Sequence, residues 1–221
     1  MNRSAIWISG AVLAAFGVLG TALVSFTHLQ TRERIAANER LALLRQLNVL
    51  VPADSVDNDM INDRISVRDP EWLGSEETRV YRGRLQGQPV AAVFTSQAPD
   101  GYSGPIKLLV AVRGDGNLGG VRVVSHRETP GLGDKIEEER SDWVLDFTGK
   151  SLANPLPARW KVKKDGGDFD QFTGATITPR AVVSTVKNTL LYYQQHAGEL
   201  FRPSPETPKA TAVKSTEETE K

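Results

Sequence analysis

From Ser4 to Thr31 the chain carries no Asp, Glu, Lys or Arg, and Ala5 to Phe26 is almost wholly apolar. Few folds accommodate such a run. As a helix rising about 1.5 Å per residue it crosses the roughly 30 Å hydrocarbon core of a bilayer. The competing reading is a cleaved secretory signal, whose apolar region is shorter and ends at a small-x-small site. No clear site of that kind precedes a mature start, so a retained anchor is expected. Ser9, Gly10, Ala14, Gly17 and Gly20 leave one surface small, suited to a neighbouring membrane helix or simply to glycine tolerated in lipid.

Arg3 and the amino terminus flank one side of the run, and Arg32, Arg34, Arg40 and Arg45 follow it. A literal positive-inside count therefore puts the rest of the chain in the cytoplasm. Glu33 and Glu39 interleave those arginines, however, and a large following domain is translocated largely regardless of charge. Ile35, Leu41, Leu44 and Leu47 continue in helical period until Val51-Pro52 stops the pattern, which reads as a juxtamembrane helix. The stretch from Pro52 to Pro70 is polar and Asp-rich, and reads as an irregular connection.

The remainder of the 221 residues suits one domain with a sizeable core. Strand signals cover Arg79–Leu85, Val90–Thr95, Ile106–Val112 and Val121–His126, separated by Gly-Gln-Pro and Asp-Gly-Asn turn material. They predict neighbouring antiparallel strands in a sheet with one covered face. Glu137 to Arg140 reads as a solvated charge run, and Trp160-Lys161-Val162 as a further strand entering a Gly166-Gly167 turn. From Pro179 to about His196, Val182, Val183, Val186, Leu190 and Tyr193 recur at helical spacing, so an amphipathic helix packs on the sheet. The fold class is α+β. The expected organisation is a short segment 1–4, an anchor helix 5–28, a juxtamembrane helix 29–51, one domain over 52–200 and a disordered tail over 201–221.

Lys plus Arg and Asp plus Glu both number 27, which argues against a nucleic-acid partner. The absence of cysteine excludes disulfides, thiol catalysis and cysteine-ligated iron–sulfur clusters within the chain. His28, His126 and His196 are far apart and lack metal-ligand spacing, so no metal site is expected. His126 reads as a structural or solvated residue. Asp165-Gly166-Gly167-Asp168 reads as a turn. There is no G-x-G-x-x-G dinucleotide fingerprint.

Asp170-Gln171-Phe172-Thr173-Gly174-Ala175-Thr176 runs into a helix-start signal, with Thr178 as the N-cap and Pro179 at the first helical position. A helix N-terminus favours phosphate, and Gly174 and Ala175 let a bulky ester approach the backbone. On spacing alone Thr176 is a cap residue or a phosphate site, with neither favoured. Glu128-Thr129-Pro130-Gly131-Leu132-Gly133 reads on its own as a Pro-Gly turn.

Asp-x-x-Thr-Gly-Ala-Thr resembles the flavinylation sequence of the FMN-binding domain family. Gly101-Tyr102-Ser103-Gly104-Pro105-Ile106 and Glu128 to Gly133 resemble the same family in the same order, so the likeness spans residues 101–178. Within that family the chain looks most like the G subunits of Rnf-type ion-translocating electron transport complexes. The resemblance implies FMN covalently attached to Thr176 through a phosphoester bond. Thr173, Gly174 and Ala175 would belong to the cofactor site, Asp170 and Thr173 to an attachment signal read by a separate flavin transferase. Glu128, Thr129, Leu132 and Gly133 would form the second wall, with Pro130 stiffening the loop, Gly131 and Gly133 bringing backbone amides near the ring, and Leu132 packing on its face.

The implied function is a membrane-anchored flavoprotein subunit relaying electrons between ferredoxin and NADH in an ion-translocating complex, non-autonomous and without turnover of its own. Its partners would be the other membrane and peripheral subunits. The family places this domain outside the cytoplasm, so the resemblance implies a single-pass protein of the bacterial inner membrane with a periplasmic domain. Two alternatives stand beside it. The C subunit of the sodium-pumping NADH:quinone reductase is disfavoured by the shorter chain, and a flavin-free membrane-tethered binding module by the intact Thr173–Thr176 text.

Overall fold

A computed structural model of the chain describes residues 3–202. Met1 and Asn2 of the expected N-terminal segment, and residues 203–221 of the expected tail, lie outside the described residues. The chain divides into two compact units, Met1–Gln46 and Leu47–Lys221.

The first unit belongs to α1 (Arg3–Leu50), one continuous helix rather than an anchor followed by a separate juxtamembrane helix. It is long and apolar enough to cross a membrane. Trp7, Leu13, Phe16, Leu23 and Phe26 are all exposed around its circumference, the pattern of a helix whose solvent is hydrocarbon. Thr27 and Thr31 return their hydroxyls to the carbonyls of Leu23 and Thr27 at 2.9 and 2.8 Å, so their polarity is satisfied within the helix.

The second unit is built on five antiparallel strands in sequential order: β1 (Arg64–Val67), β2 (Thr78–Leu85), β3 (Gln88–Ala98), β4 (Ile106–Arg113) and β5 (Leu118–Ser125). The short helix α2 (Pro70–Leu73) joins β1 to β2, and α3 (Ile177–Leu200) closes the domain. Four of the strands were legible from the sequence. β1 replaces part of the expected irregular connection, because Ile65 and Val67 alternate with Arg64 and Ser66 against Val80 and Thr78 of β2. The Trp160–Val162 strand does not form. That segment lies between two short 3-10 turns, Pro157–Arg159 and Lys163–Asp165, and Val162 makes a single parallel bridge to Phe169.

Register sets Val80, Phe94, Val110 and Val121 side by side on one face. There they meet Val182, Val183, Val186 and Leu190 of α3 in one buried cluster, with Phe94 edge-on to Tyr192 and Tyr193 at 6.1 and 6.3 Å. The opposite face is covered as well, which corrects the expectation of one covered face. Tyr81, Val93, Leu109 and Ala111 are buried, as are Leu47, Leu50, Val51, Met60 and Ile61. A Cβ on Gly83 would meet Val56 and Met60, and one on Gly119 would meet the Leu50 carbonyl.

Val80, Arg82 and Arg84 share the α3 face, yet Arg82 is only 1% exposed. Its Nε donates to Asp63 Oδ1 at 2.6 Å, and its Nη1 donates to the carbonyls of Leu200 at 3.2 Å and Arg202 at 2.8 Å. Arg84 donates to Asp63 Oδ2 at 2.8 Å and to the Phe201 carbonyl at 3.0 Å. Asn58 adds a bond to Asp63 Oδ2 at 3.0 Å. The last carbonyls of a helix have no partner within it, and two guanidinium groups supply the donors for the end of α3.

Candidate functional site

The three short segments singled out in the sequence converge at the opposite, N-terminal end of α3. The junction is Glu128, 4% exposed. Its Oε1 accepts the Ser103 N–H at 3.0 Å and its Oε2 accepts the hydroxyl of Thr178 in a short hydrogen bond. One carboxylate thus ties the loop 101–106, the loop after β5 and the first turn of α3. Packing around it is close: a Cβ on Gly133 would come within 2.8 Å of Glu128 Oε2, 2.9 Å of Glu128 Cβ and 3.0 Å of Thr178 Oγ1. The Gly133 N–H is held by the Thr129 carbonyl at 3.0 Å. Gly133 lacks a side chain because Glu128 and Thr178 occupy that space, rather than to free its amide for a ligand.

Thr178 is therefore not the N-cap that the sequence suggested. α3 begins two residues earlier than expected, at Ile177, Thr176 stands at the cap position without a side-chain capping bond, and Pro179 falls in the first turn, where a missing N–H costs nothing. Thr176 is half-buried. Among the described residues no group hydrogen-bonds its Oγ1, which leaves the hydroxyl available.

The attachment segment is fixed from below by aromatic packing. Phe172 is buried and its ring lies 5.2 Å from Trp143. Trp143 stands 5.3 Å from Phe147, Phe147 stacks on Phe169 at 4.8 Å, and the Trp143 Nε1–H donates to the Asp170 carbonyl at 2.8 Å. From Phe172 the chain turns tightly, with the Ala175 N–H returning to the Phe172 carbonyl at 3.1 Å and Gly174 at φ +82°. That backbone is left-handed, and a Cβ there would have room, so glycine is required for conformation rather than for space.

A cleft of about 310 Å³ opens above this turn, lined by Tyr102, Glu128, Thr129, Leu132, Gly133, Gly174, Ala175, Thr176, Ile177 and Thr178. Seven of the nine residues proposed from sequence line it. The other two do not: Thr173 is exposed at the turn, and Asp170 is exposed with its carboxylate 2.6 Å from Lys163 Nζ. Tyr102, Leu132 and Ile177 are exposed at 67%, 42% and 45%, so the rim is apolar and wet at once. Tyr102 lies in the first matching segment and Ile177 directly follows Thr176; both positions were readable, but neither residue type announces a ligand. The flanking charges are already paired. Asp165 accepts from Arg180 at 2.5 and 2.6 Å and Asp168 from Arg159 at 2.9 Å, which makes the Asp165–Asp168 turn structural. The Arg180 hydrogen bonds hold the Asp165 carboxyl below its ordinary range.

The cleft fits a ligand with a flat apolar body and an anionic end. Tyr102, Leu132 and Ile177 offer apolar surface, and the first-turn N–H groups of α3 with the positive end of its dipole face an anion beside Thr176. The sequence model of the FMN-binding domain matches residues 101–191, and that of the RnfG N-terminal region matches residues 1–50. The chain is 49% identical over 199 residues to the G subunit of the ion-translocating oxidoreductase complex of Pseudoalteromonas atlantica, covering 90% of this chain and 93% of that protein. The G subunit of the same complex in Vibrio atlanticus is 47% identical over 194 residues, 87% and 92% of the two chains. That of Pseudomonas aeruginosa is 46% identical over 203 residues, 91% and 95%.

Proposed function

The chain belongs to the G-subunit family of ion-translocating oxidoreductase complexes, and we propose from that premise that it is a membrane-anchored electron-relay subunit carrying FMN as a phosphoester on Thr176. The observation that carries this reading is the Thr176 hydroxyl itself: half-buried at the cleft wall, without a partner among the described residues, and at the start of a 24-residue helix.

A separate flavin transferase loads the site from FAD. The Thr176 oxygen bonds to the FMN phosphorus, the bond from that phosphorus to AMP breaks, and the hydroxyl proton leaves with AMP. Asp170 and Thr173, both exposed and outside the cleft, serve as part of the signal that the transferase reads. The N–H groups of Ile177 and Thr178 would hold the phosphate, and Tyr102, Leu132 and Ile177 would shield the ring from water. FMN supplies reversible electron storage. The protein supplies position, and α1 keeps that position at the membrane.

In the complex, electron transfer between ferredoxin and NADH drives ion movement through other subunits, since one spanning helix forms no ion path. On this reading the domain lies on the periplasmic side of the inner membrane, since a large domain after an anchor is translocated largely regardless of charge. The test is ultraviolet fluorescence of the denatured protein band after co-expression with the flavin transferase. A bright band, dark in Thr176→Ala and retained in Thr178→Ser, is expected. A dark parent band, or a bright Thr176→Ala band, refutes covalent attachment at this residue.

A further inference from the structure

Glu128 organises the cleft, and something must hold Glu128. Directly after β5, His126 turns its ring inward with a side chain only 10% exposed. Its Nδ1 accepts the Glu128 backbone N–H at 2.9 Å, and its Nε2 stands 2.7 Å from Glu137 Oε1. A ring nitrogen that accepts an N–H bears no proton, so the proton is on Nε2 and is donated to Glu137. Glu137 is oriented in turn from the solvent side by Arg140 Nε at 3.8 Å. Two sets of hydrogen bonds therefore meet at Glu128: its carboxylate accepts from Ser103 and Thr178, and its backbone N–H donates to the imidazole, which donates on to Glu137.

We propose that His126 is a positioning residue for the cleft: in its neutral Nε2–H form it fixes the backbone of Glu128, and through Glu128 the spacing between the Ser103 loop and the first turn of α3 that bears Thr176. His126 does not line the cleft. Its contribution to cofactor loading rests on the reading of this cleft as the FMN site; its contribution to the clamp does not.

Glutamine is the informative substitution, because its amide oxygen accepts and its amide nitrogen donates across nearly the same span as the two ring nitrogens, whereas phenylalanine fills the space and does neither. In the full-length flavin-free protein, His126→Phe speeds amide exchange at Glu128 and Ser103 by roughly 2- to 10-fold, the equivalent of one weakened hydrogen bond. His126→Gln restores the parent rates. Glu137→Ala, a change at a half-exposed side chain that spares the fold, speeds exchange at Glu128 in the same direction by freeing the ring to change tautomer. With FAD and the flavin transferase supplied, the initial rate of fluorescent labelling follows the same order: parent and His126→Gln fast, Glu137→Ala intermediate, His126→Phe slow. Unchanged exchange in both His126→Phe and Glu137→Ala overturns the inference, as does a His126→Gln protein that behaves like His126→Phe. If the exchange pattern is as stated while the parent never becomes fluorescent, the clamp stands and the flavin reading fails.

Discussion

Replacing Arg82 by alanine tests the clamp at the C-terminal end of α3. The change removes a guanidinium that is 1% exposed, deletes its bonds to Asp63 and to the carbonyls of Leu200 and Arg202, and leaves a void beneath the end of α3. Asp63 keeps Arg84 at 2.8 Å and Asn58 at 3.0 Å, so its charge is not fully abandoned. Removing one partner of a buried pair costs about 3–5 kcal/mol. At roughly 2–4 °C per kcal/mol for a domain of this size, the midpoint falls by about 10 °C. Thermal unfolding of the detergent-solubilised protein, followed by near-ultraviolet circular dichroism, reads the loss through Trp143 and Trp160, whereas the far-ultraviolet signal is weighted toward α1. An Arg82→Ala protein melting within about 2 °C of the parent refutes the clamp.

Glu128→Gln keeps the shape of the junction but puts an amide N–H₂ against a donor, either Ser103 N–H or Thr178 hydroxyl, and is expected to cost about 1–3 kcal/mol in urea unfolding. Two glycines separate space from conformation. Gly167→Ala drives a Cβ to 1.8 Å from the Lys161 carbonyl oxygen and should be the worse of the pair, whereas Gly131→Ala at φ +78° has open space around it and costs about 1–2 kcal/mol through its left-handed backbone alone. Asp165 should titrate below ordinary aspartates in a carbon-detected NMR titration, through its hydrogen bonds to Arg180, and return to the usual range in Arg180→Ala. With the folded value depressed, the pair's stabilisation is present above the ordinary carboxylate range and is lost only as pH falls through the lower folded value.

What was legible in the sequence was local. The anchor was readable because the absence of charge over Ser4–Thr31 is a property of consecutive residues, and β2 to β5 because turn residues punctuate alternating runs. β1 was not, since four residues with two polar members become a strand only when Tyr81 and Val80 arrive opposite Arg64 and Ile65. Arg82 read as part of an ordinary polar alternation; its carboxylate partner lies 19 residues away and its carbonyl partners 118 and 120. The motif text named seven residues that line one cleft, but spacing could not reveal that Glu128 reaches Ser103 and Thr178 across 25 and 50 residues. Helical propensity marked Thr178 as a cap, and a tertiary partner took that hydroxyl instead.

The unengaged oxygen of Thr176 carries one last consequence. Its neighbours at the head of α3 are held by the protein: the Thr178 hydroxyl by Glu128, the Thr176 carbonyl by the Arg180 N–H, and the Arg180 side chain by Asp165. These bonds are all internal to the chain, so the first turn of α3 is held by its own partners and presents the Thr176 hydroxyl on a fixed frame. Thr176→Ala therefore deletes a hydroxyl without leaving any described group unpaired, and chemistry at this position can be separated from architecture.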